Sequence, residues 1–124
     1  MSVKIPLFSV RLLGLAALVL GLGYFWGWAV PLHAHMGVGG LMVLGLWALA
    51  LVAWGKARTL ALVALAVGAA VPVIGLGQLH WSVGEVRWPI QVAHVALALG
   101  AMGVAEMLAR RLKDTTAAPL AANG

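Results

Sequence analysis

The sequence predicts an all-α membrane protein in which four transmembrane helices form an up-and-down bundle. Three observations lead to this prediction. Of the 124 residues, 64% are hydrophobic and 9% are charged, with a mean hydropathy of +1.06, whereas soluble domains carry about 25% charged residues. The charged residues leave long uncharged stretches between them. The basic residues recur at the ends of these stretches, as positively charged flanks of membrane helices do.

The first uncharged stretch is long enough for two helices. No Asp, Glu, Lys or Arg occurs between Arg11 and Lys56. A single helix of that length would rise about 66 Å, roughly twice the thickness of a hydrocarbon core. The chain must therefore reverse, and Pro31 is the predicted turning point because proline suits the first turn of a helix. We predict helix 1 over residues 11–29 and helix 2 over residues 31–54.

The second half of the chain shows the same arrangement. Charge is absent from Thr59 to Gly84, which predicts helix 3 over residues 59–80, and Pro89 predicts the start of helix 4 over residues 89–109. Pro72 lies inside helix 3, where a proline predicts a kink. Residues 1–113 therefore form one transmembrane domain, and the small, polar segment 114–124 is predicted to be a flexible cytoplasmic tail.

The basic residues predict the orientation in the membrane. All but Arg87 fall on one side of the bilayer, which the positive-inside rule assigns to the cytoplasm: Lys4, Arg11, Lys56, Arg58, Arg110, Arg111 and Lys113. We therefore expect a multi-pass protein of a bacterial inner membrane, with both termini cytoplasmic and helix 1 retained rather than cleaved as a signal peptide. Because these residues flank apolar helices, the net charge of +5 does not indicate nucleic-acid binding.

A short sequence motif is repeated in the two hairpins. Gly21-Leu22-Gly23 near the end of helix 1 resembles Gly75-Leu76-Gly77 near the end of helix 3, and each is followed by a tryptophan, a loop, a proline and a histidine. This pattern suggests a duplicated hairpin, with two repeats related by an axis along the membrane normal.

All four histidines map to the outer end of the predicted bundle. His35 and His94 lie four and five residues after the helix-starting prolines, about 6 and 7.5 Å along their helices, so they lie at similar depth. Two imidazoles on facing helices at one level are suited to bind a haem iron from both sides. Gly39, one turn after His35, would leave room for the flat macrocycle, as would Ala98 and Ala101 after His94.

The other polar residues at this end are secondary candidates. His33 and His80 are second-choice metal ligands. His33 and His35 are two residues apart, so on a helix their side chains point in different directions and cannot hold one ion. We expect His33 and His80 to form a second site, to contact a propionate or to contact a second copy of the chain. Haem is favoured over zinc because the chain has no cysteine and no carboxylate inside the membrane, whereas Met36, Met42 and Met102 keep copper as an alternative. The expected donors to haem propionates are Arg87, Tyr24, Gln78 and Trp81.

Together, His35-x-x-x-Gly39, His94 and the four-helix topology resemble the small bacterial membrane cytochromes of b type. This resemblance implies one non-covalent haem b with His35 and His94 as axial ligands. The family pattern does not require His33 and His80, so the number of haems and the ligand pair stay open.

Several functions fit these features. The first is electron transfer or redox chemistry at a histidine-ligated haem near the outer face, with a quinone or another redox partner there. The alternatives are a histidine-based metal or proton transporter and a quinone- or haem-binding membrane anchor subunit. Gly23 and Gly27 form a GxxxG pattern that is compatible with a homodimer. Glu106 is expected to pair with Arg110 at the inner face, where the bundle interior is predicted to be a dry core of Leu, Val, Ala and Gly.

Overall fold

Four long helices make up the computed structural model of the chain, which describes residues 3–121 and the side chains of residues 3–115. They are α1 (Lys4–Phe25), α2 (Leu32–Ala53), α3 (Arg58–Gly77) and α4 (Trp88–Ala121). Each is long and apolar enough to cross a membrane. The all-α, four-helix class predicted from the sequence is therefore supported, and the protein has the make-up of a multi-pass membrane protein.

The first helix is shifted toward the N-terminus relative to the predicted range 11–29. It begins at Lys4, because a lysine or arginine can lie in a membrane helix while its long side chain reaches the interface. It ends at Phe25, where Gly27 adopts a left-handed φ of +78°. The backbone N–H groups of Trp28 and Gly27 then bond the carbonyls of Gly23 (2.8 Å) and Tyr24 (3.1 Å), which closes the helix with a Schellman motif.

The remaining helices lie close to their predicted ranges, except at the C-terminus. Pro31 has extended backbone and precedes α2, and Pro89 lies in the first turn of α4. Pro72 lies within α3, which continues past it to Gly77. Helix α4 continues to Ala121, well beyond the predicted residue 109 and into the segment predicted as a tail, because no glycine or proline occurs in residues 110–118 to end it.

The helices are arranged so that the two histidine-bearing helices meet across the bundle. Each helix contacts its neighbours in the order α1, α2, α3, α4 and back to α1. In addition, α2 and α4 touch across the middle, whereas no α1–α3 packing occurs within the described residues. The positions predicted to face each other, on α2 and α4, therefore lie on the helices that come closest across the centre.

On α2 and α4 the packed core occupies only one half of each helix. We call the end that holds the seven basic residues the basic end and the opposite end, with all four histidines, the histidine end. The first buried side chain on α2 is Met42 and the first buried hydrophobic side chain on α4 is Ala101, and the core continues from there toward the basic end through Leu46, Leu49, Ala50, Ala53, Ala105, Leu108 and Leu112. No polar or charged residue is buried as a whole among the described side chains there, although Nε1 of Trp47 is enclosed without a hydrogen-bond partner.

Large apolar side chains cover the outside of the helices. On α1, exposed hydrophobics recur every three or four residues, at Ile5, Phe8, Leu12, Leu15 and Val19, each more than half exposed. Such a continuous apolar surface is unfavourable in water and suits contact with lipid. The exterior thus supports the same conclusion as the helix lengths, that the chain is a membrane protein.

An ion pair joins α1 to α4 at the basic end. Arg11 donates from Nε to Glu106 Oε1 (2.5 Å) and from Nη2 to Oε2 (2.8 Å). This bidentate geometry is the strongest form of an arginine–carboxylate pair. The expected Glu106–Arg110 pair is therefore wrong: Glu106 pairs with Arg11 of the antiparallel helix α1, which brings a planar guanidinium to its level.

Candidate cofactor site between the histidine-bearing helices

The structure brings His35 and His94 together. His35 lies in the first turns of α2 and His94 in the second turn of α4, and both side chains are half-buried. Their ring centroids are 6.1 Å apart and the ring planes are inclined at 67°. The matched depth predicted from the two prolines is thus realised as a direct juxtaposition of two imidazoles at the histidine end.

The imidazole of His35 is seated on helix α1. A Cβ added at Gly21 would lie 3.1 Å from His35 Cε1, so the glycine leaves the space that the ring occupies. His35 Nδ1 lies 3.0 Å from the carbonyl oxygen of Ala17, one turn earlier on α1. Because a carbonyl only accepts, Nδ1 carries the proton and donates, so Nε2 is the unprotonated nitrogen in the neutral form of the ring.

The imidazole of His94 has the corresponding seat on helix α3. A Cβ at Gly75 would lie 2.8 Å from His94 Cε1. The ring interacts with the backbone of Val71, one turn earlier on α3, although Nδ1 is buried and its geometry falls short of a hydrogen bond. A small rotation of the ring would complete the same Nδ1–carbonyl arrangement that His35 makes with Ala17.

These two seats occupy equivalent positions in the repeated Gly-Leu-Gly motif. Gly21 and Ala17 in α1 correspond to Gly75 and Val71 in α3, and the tryptophan after each helix folds back on the next glycine of the motif: Trp28 on Gly23 and Trp81 on Gly77. The loop before α4 is longer and contains a tight turn closed by hydrogen bonds between Val83 and Val86. The hairpins α1–α2 and α3–α4 therefore present their histidines in equivalent ways despite different loops.

Three features of the site are compatible with a bis-histidine haem. Two metal–nitrogen bonds of about 2.0–2.1 Å on opposite sides of one metal put imidazole centroids roughly 6 Å apart, close to the observed 6.1 Å. A histidine that binds a metal through one nitrogen usually donates from the other to a carbonyl, as the His35 seat does. A Cβ at Gly39 would meet nothing within 4 Å, so open space lies beside His35.

The loose packing at this end points the same way. On α2 and α4, none of the described side chains on the histidine side of Met42 and Ala101 is a buried hydrophobic. Nδ1 of His94 is also buried without a hydrogen-bond partner, as is Nε1 of Trp47 in the packed half. Among the described side chains, this half of α2 and α4 therefore lacks the buried apolar layer that Leu46 and Leu108 supply in the other half.

The other predicted site residues also lie at the histidine end. His33, His80, Tyr24 and Arg87 are exposed and Gln78 is half-buried, and Trp81 lies against Gly77. No three of the described His, Asp and Glu residues are grouped closely enough to hold a metal ion. His33 and His80 therefore do not join His35 and His94 in a common metal site within the described residues.

Two further expectations change. Met42 belongs to the packed core and Met102 packs against Gly14, which gives both methionines a structural role. The GxxxG pair Gly23 and Gly27 cannot form a helical dimer face, because Gly23 is covered by Trp28 and Gly27 lies beyond the end of α1.

The sequence did not identify the glycines and backbone carbonyls that contact the two histidine rings. Gly21 and Gly75 are more than ten residues from the histidines that they contact, so spacing within a helix could not reveal them. The repeated Gly-Leu-Gly motif was the sequence signal that pointed to these positions. Comparison of the chain with models of protein families, with curated proteins and with solved structures finds no match.

Proposed function

We propose that this membrane protein binds one haem b between α2 and α4, with His35 and His94 as the axial ligands, and serves in electron transfer or redox chemistry. The observation that supports this most is the seated pair of imidazoles, 6.1 Å apart, with Nδ1 of His35 directed at a helix carbonyl. When bound, a bis-histidine haem supplies reversible one-electron exchange at iron.

The chain's own residues would control the ligands through their seats. The Ala17 carbonyl fixes the tautomer of His35 and makes Nε2 more basic, because the donated hydrogen bond pulls the Nδ1 proton away from the ring. The Val71 carbonyl would support His94 in the same way if the His94 ring turned to complete that hydrogen bond. These carbonyls, together with the apolar surroundings, are the features that would set the reduction potential.

The basic residues support an orientation with the histidine end outside. Seven of the eight Lys and Arg residues lie at the basic end, and Arg87 lies in the loop at the other end. In a bacterial inner membrane this places both termini in the cytoplasm. A haem held by His35 and His94 would then be near the outer face, with Arg87, Tyr24, Gln78 and Trp81 available to its propionates and a quinone or a redox protein as its partner.

The transporter alternative is less well supported. A transient metal site for zinc or copper usually needs three or four protein ligands, and the described residues offer no group of three. A proton pathway needs ionisable groups at several depths, whereas the described core toward the basic end contains no buried polar side chain. An anchor subunit that binds haem or quinone for a partner chain would use the same histidine pair.

A visible spectrum with four histidine variants tests the proposal. Protein purified from haem-sufficient cells should show a Soret band that shifts on reduction and a low-spin ferric signal. His35→Ala and His94→Ala should each lose most of the haem, because a single remaining imidazole holds the iron from one side only. His33→Ala and His80→Ala are the matched controls at the same end and should retain it.

The outcomes separate the candidate functions. A colourless protein that takes up no added haem would exclude the cytochrome, and zinc or copper binding by the same preparation would favour transport. Haem loss in the His33 or His80 variant with retention in the His94 variant would mean that the ligand pair is wrong.

A further inference from the structure

The groove between α1 and α4 at the basic end combines a cluster of cations with an apolar wall. It has a volume of about 460 Å³ and is lined by Lys4, Ile5, Leu7, Phe8, Arg11 and Lys113. The cations come from both helices: two from α1 and one from α4. The groove lies in the α1–α4 interface, the only interface between neighbouring helices that no connecting loop spans.

Charge at this groove is organised by the Arg11–Glu106 pair. Glu106 accepts hydrogen bonds from Nε and Nη2 of Arg11. It also interacts electrostatically with the positive charges of Arg110 and Lys113. Guanidinium has five N–H donors, so Arg11 is held in place while it keeps donors for a second acceptor. The charged residues of the groove lining are Lys4, Arg11 and Lys113, and none of the described lining residues is acidic.

The apolar wall distinguishes a lipid from a soluble anion. Ile5 is 73% exposed and Phe8 is 64% exposed, and both lie on the same helix as Lys4 and Arg11. From Lys4 to Arg11 the helix rises about 10 Å, so charge and apolar surface lie side by side over the length of a headgroup and the upper part of an acyl chain. A free phosphate would match the cations only, whereas a phospholipid matches both the cations and the apolar side chains of Ile5 and Phe8 beside them.

We propose that this groove binds an anionic phospholipid, with the headgroup phosphate on Lys4, Arg11 and Lys113 and an acyl chain along Ile5 and Phe8. Basic pockets between membrane helices on the cytoplasmic side are sites of this kind. The bound lipid bridges α1 and α4 and closes the interface that lacks a loop. The inference depends on the membrane setting and is independent of the haem.

Binding and thermal stability in defined lipid test this proposal. The probes are phosphatidylglycerol, phosphatidylcholine and inorganic phosphate, added to detergent-purified protein and followed by native mass spectrometry and by the melting temperature. Phosphatidylglycerol should bind and raise the melting temperature, and the other two should not. Each lysine near a membrane anion contributes roughly a fivefold change in affinity. The Lys4→Gln/Lys113→Gln variant should therefore bind phosphatidylglycerol roughly twenty- to thirtyfold more weakly.

The matched control is Lys56→Gln/Arg111→Gln, which removes the same charge from the same end at residues that do not line the groove. It should bind phosphatidylglycerol like the unmodified protein. Equal weakening in both double variants would mean a diffuse surface attraction and would overturn the site. Stabilisation by inorganic phosphate equal to that by phosphatidylglycerol, or equal binding of phosphatidylcholine, would overturn the assignment of an anionic lipid.

Discussion

A single methyl group added at Gly75 tests the histidine seats. A Cβ there would lie 2.8 Å from His94 Cε1, whereas one at Gly21 would lie 3.1 Å from His35 Cε1. Ordinary van der Waals contact begins at 3.4 Å, so the ring of His94 must retreat by about 0.6 Å and that of His35 by about 0.3 Å. Because cofactor ligands must stay within about 0.5 Å of their working positions, the two alanine variants should differ.

The expected difference is measurable as haem affinity and reduction potential. Gly75→Ala should weaken haem binding by roughly tenfold or more, the effect of disturbing a group that orients a metal ligand. Gly21→Ala should keep most of its haem and change mainly the potential. Titration of the apoprotein with haem, followed at the Soret band, gives the affinities, and a redox titration of the loaded protein gives the potentials.

The matched control is Gly100→Ala on α4, an exposed helical glycine whose added Cβ meets nothing within 4 Å. This variant should bind haem normally, and its helix should gain about 0.5–1 kcal/mol of stability because alanine loses less backbone freedom than glycine. Normal haem binding by Gly75→Ala, or a larger loss in Gly21→Ala than in Gly75→Ala, would refute the seats. Equal losses in Gly75→Ala and Gly100→Ala would show that the effect is not local.

Three further predictions follow from the fold. Gly68→Ala should lower the melting temperature, because its Cβ would overlap the indole nitrogen of Trp47 and overpacking costs about 1–3 kcal/mol; the exposed Gly103→Ala should not lower it. Gly27→Ala should lose roughly 1–2 kcal/mol of unfolding free energy, seen as a lower melting temperature, because its φ of +78° strains any residue with a Cβ. Reporters fused after residue 124 and in the 54–57 turn should read cytoplasmic, and one in the 82–87 loop external; opposite readings at the two loops would contradict the charge argument.

The sequence by itself determined the number of helices, the position of the second and fourth helix starts and the end of the bundle that holds the histidines. These features follow from local causes. Proline fixes its own φ and ends the preceding segment, and the uncharged stretches 12–55 and 59–84 divide only into spans of membrane length. The depth of His35 and His94 followed because each is counted from a proline a few residues away.

Only the tertiary structure decided which residues meet across helices. The helices are apolar on nearly every face, so the sequence pattern does not specify how each is rotated about its axis or where it stands relative to its neighbour. Close packing of small residues settles both: Gly21 admits the ring of His35 and Gly75 that of His94. The same register brings Arg11 to Glu106 in place of Arg110, because a charge pair within one helix is set by spacing and a pair between helices by packing.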